Sequence, residues 1–324
     1  MPKPQLYILS EFQPGAVTYA QSLFNCILHT DPKALDWRTH ATAILIKDYD
    51  ITAADLDAAP QLRAIGKQGV GVDRIDVAAC KARGVHVCNA PGVNAGAVAE
   101  MALALAMSVA RGIPAITRRM VVDGEAIRKE TVAGLLLTGK TIGIIGMGNI
   151  GVAVARMFRG AFGCEVIAYD PFAPEKGGPW DGIPHTRVLT LDLLLEASDV
   201  ATVHVPLSTA TKGLISYAEM QKMKNTAILL NTARGGIVHE DDLVRALDEG
   251  LIYGAGFDCH IQEPPTREKY ERLWSHDCFV GTPHIAAATD ETQIATANYA
   301  TDRVWEVMHQ ENTRRIEQQQ AASL

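Results

Sequence analysis

The hexapeptide Gly146-Met147-Gly148-Asn149-Ile150-Gly151 follows the β-branched run Thr141–Ile145 and opens an apolar-periodic stretch over 150–161. Glycines at that spacing, between a strand and a helix, suit a dinucleotide. Gly146 permits the tight turn, Gly148 lets backbone approach a pyrophosphate, and Gly151 lets helix and strand pack closely. The unpaired N–H groups at the start of the helix, from Asn149 and Ile150 onward, would then face the diphosphate. Asp170 ends the next apolar run, 19 residues past Gly151. A carboxylate there accepts hydrogen bonds from ribose hydroxyls and repels a 2′-phosphate. No arginine follows in Pro171-Phe172-Ala173, so the expected cofactor is NAD rather than NADP. An ordinary strand-end aspartate is the competing reading.

Three further residues could do chemistry. Arg234, in Asn231-Thr232-Ala233-Arg234-Gly235-Gly236, follows another apolar run and offers a rigid fork for a carboxylate. It could equally be a surface arginine paired with Glu240 or Asp241. His284, in Gly281-Thr282-Pro283-His284-Ile285, sits at a strand end and could titrate near neutrality. Glu263, followed by Pro264, would orient that ring and raise its pKa if the fold brings the two together. Asp258 closes the small-residue run Gly254-Ala255-Gly256-Phe257. With ten histidines in the chain, none of these positions persuades alone.

Such groups need a scaffold that delivers strand ends to one place. Candidate strands fall at 6–9, 43–46, 62–65 and 85–88, with helical periods at 16–28, 53–58 and 75–82 between them. A second series has strands at 141–145, 165–169, 200–205, 227–231 and 253–258, separated by helical periods at 150–161, 191–196, 217–223 and 240–249. This alternation predicts an α/β fold of two doubly wound parallel-sheet domains, with a cleft between them. A helix over 94–111, with Asn94 as its N-cap, would join the two. A stretch over 286–308 would return to the first domain, leaving a polar, frayed tail from 311. The expected boundaries are 1–98 with 287–324, and 99–286.

Composition narrows the function. A formal charge of −7 argues against a nucleic-acid partner, and no apolar run approaches the roughly 20 residues that span a bilayer. The N-terminus lacks the basic and apolar regions of a signal peptide. Six scattered cysteines without a C-x-x-C pair read as reduced thiols, not disulfides or a metal site, in a cytoplasmic protein.

In order, the segments Gly69-Val70-Gly71-Val72-Asp73, Asn89-Ala90-Pro91-Gly92, Val98-Ala99-Glu100, 139–151, His204-Val205-Pro206-Leu207, 231–236, 254–258, Glu263-Pro264 and Thr282-Pro283-His284 resemble the D-isomer-specific 2-hydroxyacid dehydrogenase family. The likeness runs over nearly the whole chain. It implies Rossmann- and flavodoxin-like domains, NAD as cofactor, and a 2-oxo or 2-hydroxy acid substrate. It also implies a homodimer paired through the NAD-binding domain. Arg234 would bind the substrate carboxylate, His284 would be the general acid and base, and Glu263 would keep the histidine protonated. Val70 and Gly71 would offer backbone amides to the carboxylate. His204, Val205, Pro206, Thr232, Ala233, Arg234, Asp258 and His284 would line the cofactor, with Asp258 accepting from the nicotinamide carboxamide.

The sequence also departs from that pattern. Cys259-His260-Ile261-Gln262 stands where acidic or aromatic residues are usual, and His260 reads as a neighbour of the site. The stretch 125–137 lacks a tryptophan common there. Relatives acting on 3-phosphoglycerate usually carry a phosphate-binding arginine after the second strand of the series. Here Lys47 and Lys67 would have to serve, opposed by Asp48 and Asp50. The chain ends soon after its return helix, where a serine-sensing domain would begin. Both points favour glyoxylate, hydroxypyruvate or a similar short acid, with D-3-phosphoglycerate dehydrogenase as the alternative. Related formate dehydrogenases carry glutamine at the place of Glu263. A different class, an NADH-sensing corepressor-like binding protein, would keep the trio but add disordered tails.

Overall fold

Apolar strands buried on both faces need a helix layer on each side, and the chain supplies them in alternation. A computed structural model describes residues 3–174, 176 and 178–321, with side chains as far as residue 310. The chain divides into two units, Met1–Asn94 with Ala287–Leu324, and Ala95–Ala286.

The first unit holds five parallel strands: β1 (Gln5–Ile8), β2 (Asn25–Leu28), β3 (Ala43–Ile46), β4 (Ala64–Lys67) and β5 (His86–Cys88). Their order is β2-β1-β3-β4-β5, the flavodoxin-like arrangement. The expected helix over 16–28 is two elements. Pro14–Leu23 is helical, and Asn25–Leu28 turns into an edge strand paired with β1. Ile27 is β-branched and faces a core of Trp37, Ile44 and Ile65, so tertiary packing overrides the helical period. The long helix Asp290–Ala321 covers the other face, burying Ala297, Ala300, Val304 and Met308 at helical spacing. It continues through the expected frayed tail to Ala321; residues 322–324 lie outside the described residues.

The second unit holds seven parallel strands: β6 (Thr141–Ile145), β7 (Glu165–Tyr169), β8 (Thr186–Arg187), β9 (Val200–Val203), β10 (Ile228–Asn231), β11 (Gly254–Phe257) and β12 (Phe279–Gly281). Their order, β12-β11-β10-β9-β6-β7-β8, reverses direction between β6 and β9. That reversal is where open α/β sheets bind ligands. The two-residue β8 is too short for periodicity to reveal.

The helix Ala95–Arg111 lies on this sheet because β11 is built from small residues. A Cβ at position 256 would sit 2.9 Å from the Cβ of Leu105, and one at 254 would sit 2.7 Å from Val109. Burying Leu105 and Val109 there contributes about 1.5–3 kcal/mol each. The expected Asn94 cap is not made, since its Oδ1 is buried without a partner. Among the described residues, no single helix is long and apolar enough to cross a membrane.

Candidate active site

The glycine turn leaves the C-terminal end of β6. Gly146 has φ 104°, and a Cβ there would meet the His204 carbonyl oxygen at 2.6 Å, so only glycine fits. Gly148 is the N-cap of the helix Asn149–Phe162, and no side chain caps its free amides. Asn149, Ile150 and Gly151 form the first turn. Asp170, past the end of β7, accepts the Met147 N–H through Oδ2 and the Phe172 N–H through Oδ1, both at 2.9 Å. It therefore ties the glycine turn to the neighbouring strand.

The sequence shows no arginine close after Asp170, but β8 carries Arg187 back beside it. That guanidinium donates to the carbonyl oxygens of Asp170 (2.7 Å), Ala173 (2.8 Å) and Pro174 (3.1 Å). These donors are turned to the main chain.

His204, Val205 and Pro206 leave β9 next to the turn, and Thr232 and Ala233 leave β10. The His204 ring is enclosed, and burial pushes its pKa down to about 3, so it is neutral. Its Nε2 lies 2.9 Å from Thr202 Oγ1, while Nδ1 has no partner. Thr232 Oγ1 is likewise buried and unpartnered. Two orphaned polar atoms at adjacent strand ends, beside an uncapped helix terminus, fit a bound dinucleotide.

Arg234 sits on a loop that its neighbours fix. Asn231 Nδ2 donates to the Arg234 carbonyl (2.9 Å), and Asn231 Oδ1 accepts the Ala233 N–H (3.1 Å). Arg234 Nη1 donates to the Ala233 carbonyl at 2.6 Å. A Cβ on Gly235 would lie 2.1 Å from the His260 carbonyl group, so the loop rests directly on the segment leading to Glu263. The Cys259 thiol closes the contact by donating to Ala233 O at 3.4 Å. Glu240, one of the partners suggested for Arg234, turns elsewhere. It is buried, and its Oε1 accepts from Ile261 N (2.8 Å) and Tyr270 Oη (3.3 Å). Burial raises its pKa.

The structure brings Glu263 and His284 together: Oε2 and Nδ1 are 2.8 Å apart. His284 is 41% exposed and has φ 59°, left-handed backbone that bulky residues avoid. Asp258 holds it there. That carboxylate is fully buried, and it accepts from Thr282 Oγ1 (2.6 Å), Ile285 N (2.9 Å) and Ala286 N (2.9 Å). Both of its oxygens thus anchor the histidine's loop.

Hydrogen bonding to the Cys259 sulfur and to Glu263, against an opposing penalty from burial, pushes His284 up to about 10. Burial also raises the Cys259 thiol, so near neutrality the sulfur keeps its proton. Glu263 then supplies the charge opposite the imidazolium. Burial works to raise Glu263, but its bond to His284 outweighs this, and the carboxyl lies below its usual value. An exposed pair of this kind adds only about 0–1 kcal/mol to stability. Its effect is on protonation. His260 is buried among Phe257, Tyr270 and Trp274 with both ring nitrogens unpartnered, and burial lowers its pKa. Its ring packs against these aromatic side chains.

In the first unit, Val70 and Gly71 follow β4. Asn89 Nδ2 donates to the Val70 carbonyl at 2.7 Å, fixing the turn. Lys47 Nζ donates to Gln293 Oε1 (3.1 Å), and Lys67 Nζ to the Gln68 carbonyl (2.6 Å).

Residues 103–286 match the family model described as the D-isomer specific 2-hydroxyacid dehydrogenase, NAD binding domain. The chain belongs to this family. It is 41% identical over 243 residues to a hydroxypyruvate reductase of Thermotoga maritima, covering 75% of this chain and 76% of that protein. It is 42% identical over 253 residues to a D-3-phosphoglycerate dehydrogenase of Archaeoglobus fulgidus, covering 78% of this chain but 46% of that protein. The chain thus spans about half the length of the phosphoglycerate dehydrogenase it matches. The crystal structure of the TT0316 protein from Thermus thermophilus superposes with a TM-score of 0.82 at 32% identity, over 94% of this chain and 97% of that one. The protein is an NAD-dependent oxidoreductase of the 2-hydroxyacid dehydrogenase family, and its second unit is the NAD-binding domain.

Asp258→Asn tests the anchor. An amide in place of that carboxylate leaves a buried donor unsatisfied, at a cost of about 1–3 kcal/mol. Thermal melts should show a lower midpoint, and an unchanged one would mean the loop holds without this carboxylate.

Proposed function

We propose that the protein reduces the ketone of a short 2-oxo acid, of the glyoxylate and hydroxypyruvate class, and oxidises the matching D-2-hydroxy acid in reverse. One observation carries the reading. An imidazole is held through Nδ1 by a carboxylate at 2.8 Å, which leaves Nε2 to a substrate. Bound NADH supplies the hydride. Arg234 binds the substrate carboxylate with its fork and polarises the ketone oxygen. His284 Nε2 gives that oxygen its proton as negative charge develops, and takes it back in the reverse direction. Glu263 fixes the tautomer and keeps the ring charged. The amides of Val70 and Gly71 add donors to the substrate carboxylate.

In this reading Gly146, Gly148, Asn149, Ile150 and Gly151 cradle the diphosphate, and Asp170 takes the ribose hydroxyls. His204, Val205, Pro206, Thr232 and Ala233 line the rest of the cofactor. The six free thiols accord with work in the cytoplasm. D-3-Phosphoglycerate dehydrogenase activity is the second reading, and Lys47 and Lys67, at the ends of adjacent strands β3 and β4, favour it. The tie of Lys47 to Gln293 and the neighbouring Asp48 and Asp50 weigh against a phosphate there.

NADH oxidation with a panel of glyoxylate, hydroxypyruvate and phosphohydroxypyruvate decides the substrate. His284→Asn, a residue that tolerates left-handed backbone, should lose about a hundred- to ten-thousand-fold in kcat. Equal rates for the two proteins would remove His284 from the chemistry.

The pH dependence follows from the raised pKa. Reduction needs the imidazolium, so its kcat should hold through neutrality and fall as pH rises through about 10. Oxidation needs the neutral ring and should climb over the same range. Glu263→Gln removes the stabilising charge and should move the limb to lower pH. A limb that stays in place would show that Glu263 does not set it.

Pairing into a homodimer through the NAD-binding unit is supported by an apolar surface. The helix Ile113–Val121 buries no residue, and Ile113, Met120, Val121, Val122 and Leu136 are exposed. Light scattering should give a dimer mass for the parent and a monomer mass for a Val121→Asp, Val122→Asp variant. A parent monomer would end this proposal.

A further inference from the structure

Beside the proton-transfer pair lies a thiol, Cys259, that the proposed reaction does not use. Cys259 Sγ, a Glu263 carboxylate oxygen and a His284 ring nitrogen all lie within 4.8 Å of one another. Among the described residues it is the one such trio of possible metal ligands. Cys259 is fully buried, whereas Glu263 and His284 are 36% and 41% exposed, so the cluster has a sulfur floor and an open mouth. The sulfur lies against the His284 ring and donates to Ala233 O at 3.4 Å, a weak thiol bond that can exchange.

The donor set selects the ion. Mg²⁺ and Ca²⁺ take oxygen ligands, while one thiolate, one imidazole and one carboxylate suit a thiophilic cation. Zn²⁺ binds these at about 2.0–2.3 Å in tetrahedral geometry, which puts ligand atoms roughly 3.3–3.8 Å apart. To match that spacing the Glu263–His284 pair, 2.8 Å apart, has to open and the more distant atoms to draw in, each by at most on the order of 1 Å.

We propose that Cys259, Glu263 and His284 form a binding site for Zn²⁺, and that the bound ion silences turnover. The metal gains bonds to sulfur, nitrogen and oxygen, with a fourth position open to water. The thiol proton and the proton on the ligating histidine nitrogen leave to solvent, and no oxidation state changes. With Glu263 and His284 both committed to the ion, the ring no longer has the carboxylate that keeps it an acid. Binding stands on the cluster alone; silencing rests on the proposed role of His284.

The test uses the full chain without an affinity tag, freed of metal by a chelator and titrated with Co²⁺. A sulfur-to-cobalt charge-transfer band in the near ultraviolet is expected, and Zn²⁺ should displace it. Cys259→Val and Cys259→Ser should both lose the band while still binding NADH by fluorescence, which shows that they fold. The other five cysteines remain in these variants, so a band that survives them overturns the site. Absence of a band in the parent overturns it too. In turnover, Zn²⁺ should lower the parent's reduction rate by about a hundredfold, the share of a general acid, with recovery on chelation. Each variant, compared with its own metal-free rate, should lose that response. A parent that shows the band but keeps its rate in Zn²⁺ overturns the silencing. A parent that shows the band yet reduces no 2-oxo acid supports the site and refutes the proposed reaction instead.

Discussion

Three hydrogen bonds converge on the buried carboxylate of Asp258, and the reactive end of the second unit depends on them. A charge without exposure to water is costly unless donors surround it. Here the donors are a threonine hydroxyl and two consecutive amides from the loop after β12. The cost of burying the carboxylate thus becomes a restraint on the loop. His284 lies between those donors with left-handed backbone, and its ring is aimed at Glu263. From the other side, Glu240 and the Tyr270 hydroxyl hold the main chain of the segment that carries Glu263. Two buried acids, Asp258 and Glu240, set the geometry of the two residues proposed for the acid–base work.

Three histidines show how environment decides protonation in one chain. His204 is walled in without an acidic partner, and desolvation removes its charge. His260 is packed into aromatic rings and also falls below its usual value. His284 has a carboxylate and a sulfur against its ring and rises far above it. The imidazoles are chemically identical. Neighbours alone separate a structural ring, a neutral ring beside the glycine turn and the proposed proton donor.

Much of this is legible in the sequence, and the reasons differ by residue. The glycine turn can be read because its chemistry is local, with strand, turn and helix contiguous. Arg234, Glu263 and His284 emerge only through dispersed motifs, since nothing in their spacing shows that Glu263 and His284 touch. Asp258 is visible as a carboxylate at a strand end, but its partners lie 24 to 28 positions away, so its hold on the histidine's loop cannot be read from the sequence. Arg187 escapes because β8 has two residues and no period. Asn25–Leu28 reads as helix because four residues at a sheet edge cannot outvote the period of the ten before them. Cys259 and His260 stand out as departures, yet only the fold shows that one meets His284 and the other is entombed.

The backbone at His284 has one more consequence. A φ of 59° fixes the direction in which any side chain leaves the chain at this point, and β-branched residues cannot adopt it without strain. The position therefore admits few replacements on steric grounds, before their chemistry is considered. Substituting a different acid here would mean rebuilding the exit of β12 as well as the residue. The scaffold has in effect chosen the proposed proton donor twice, once by geometry and once by reactivity.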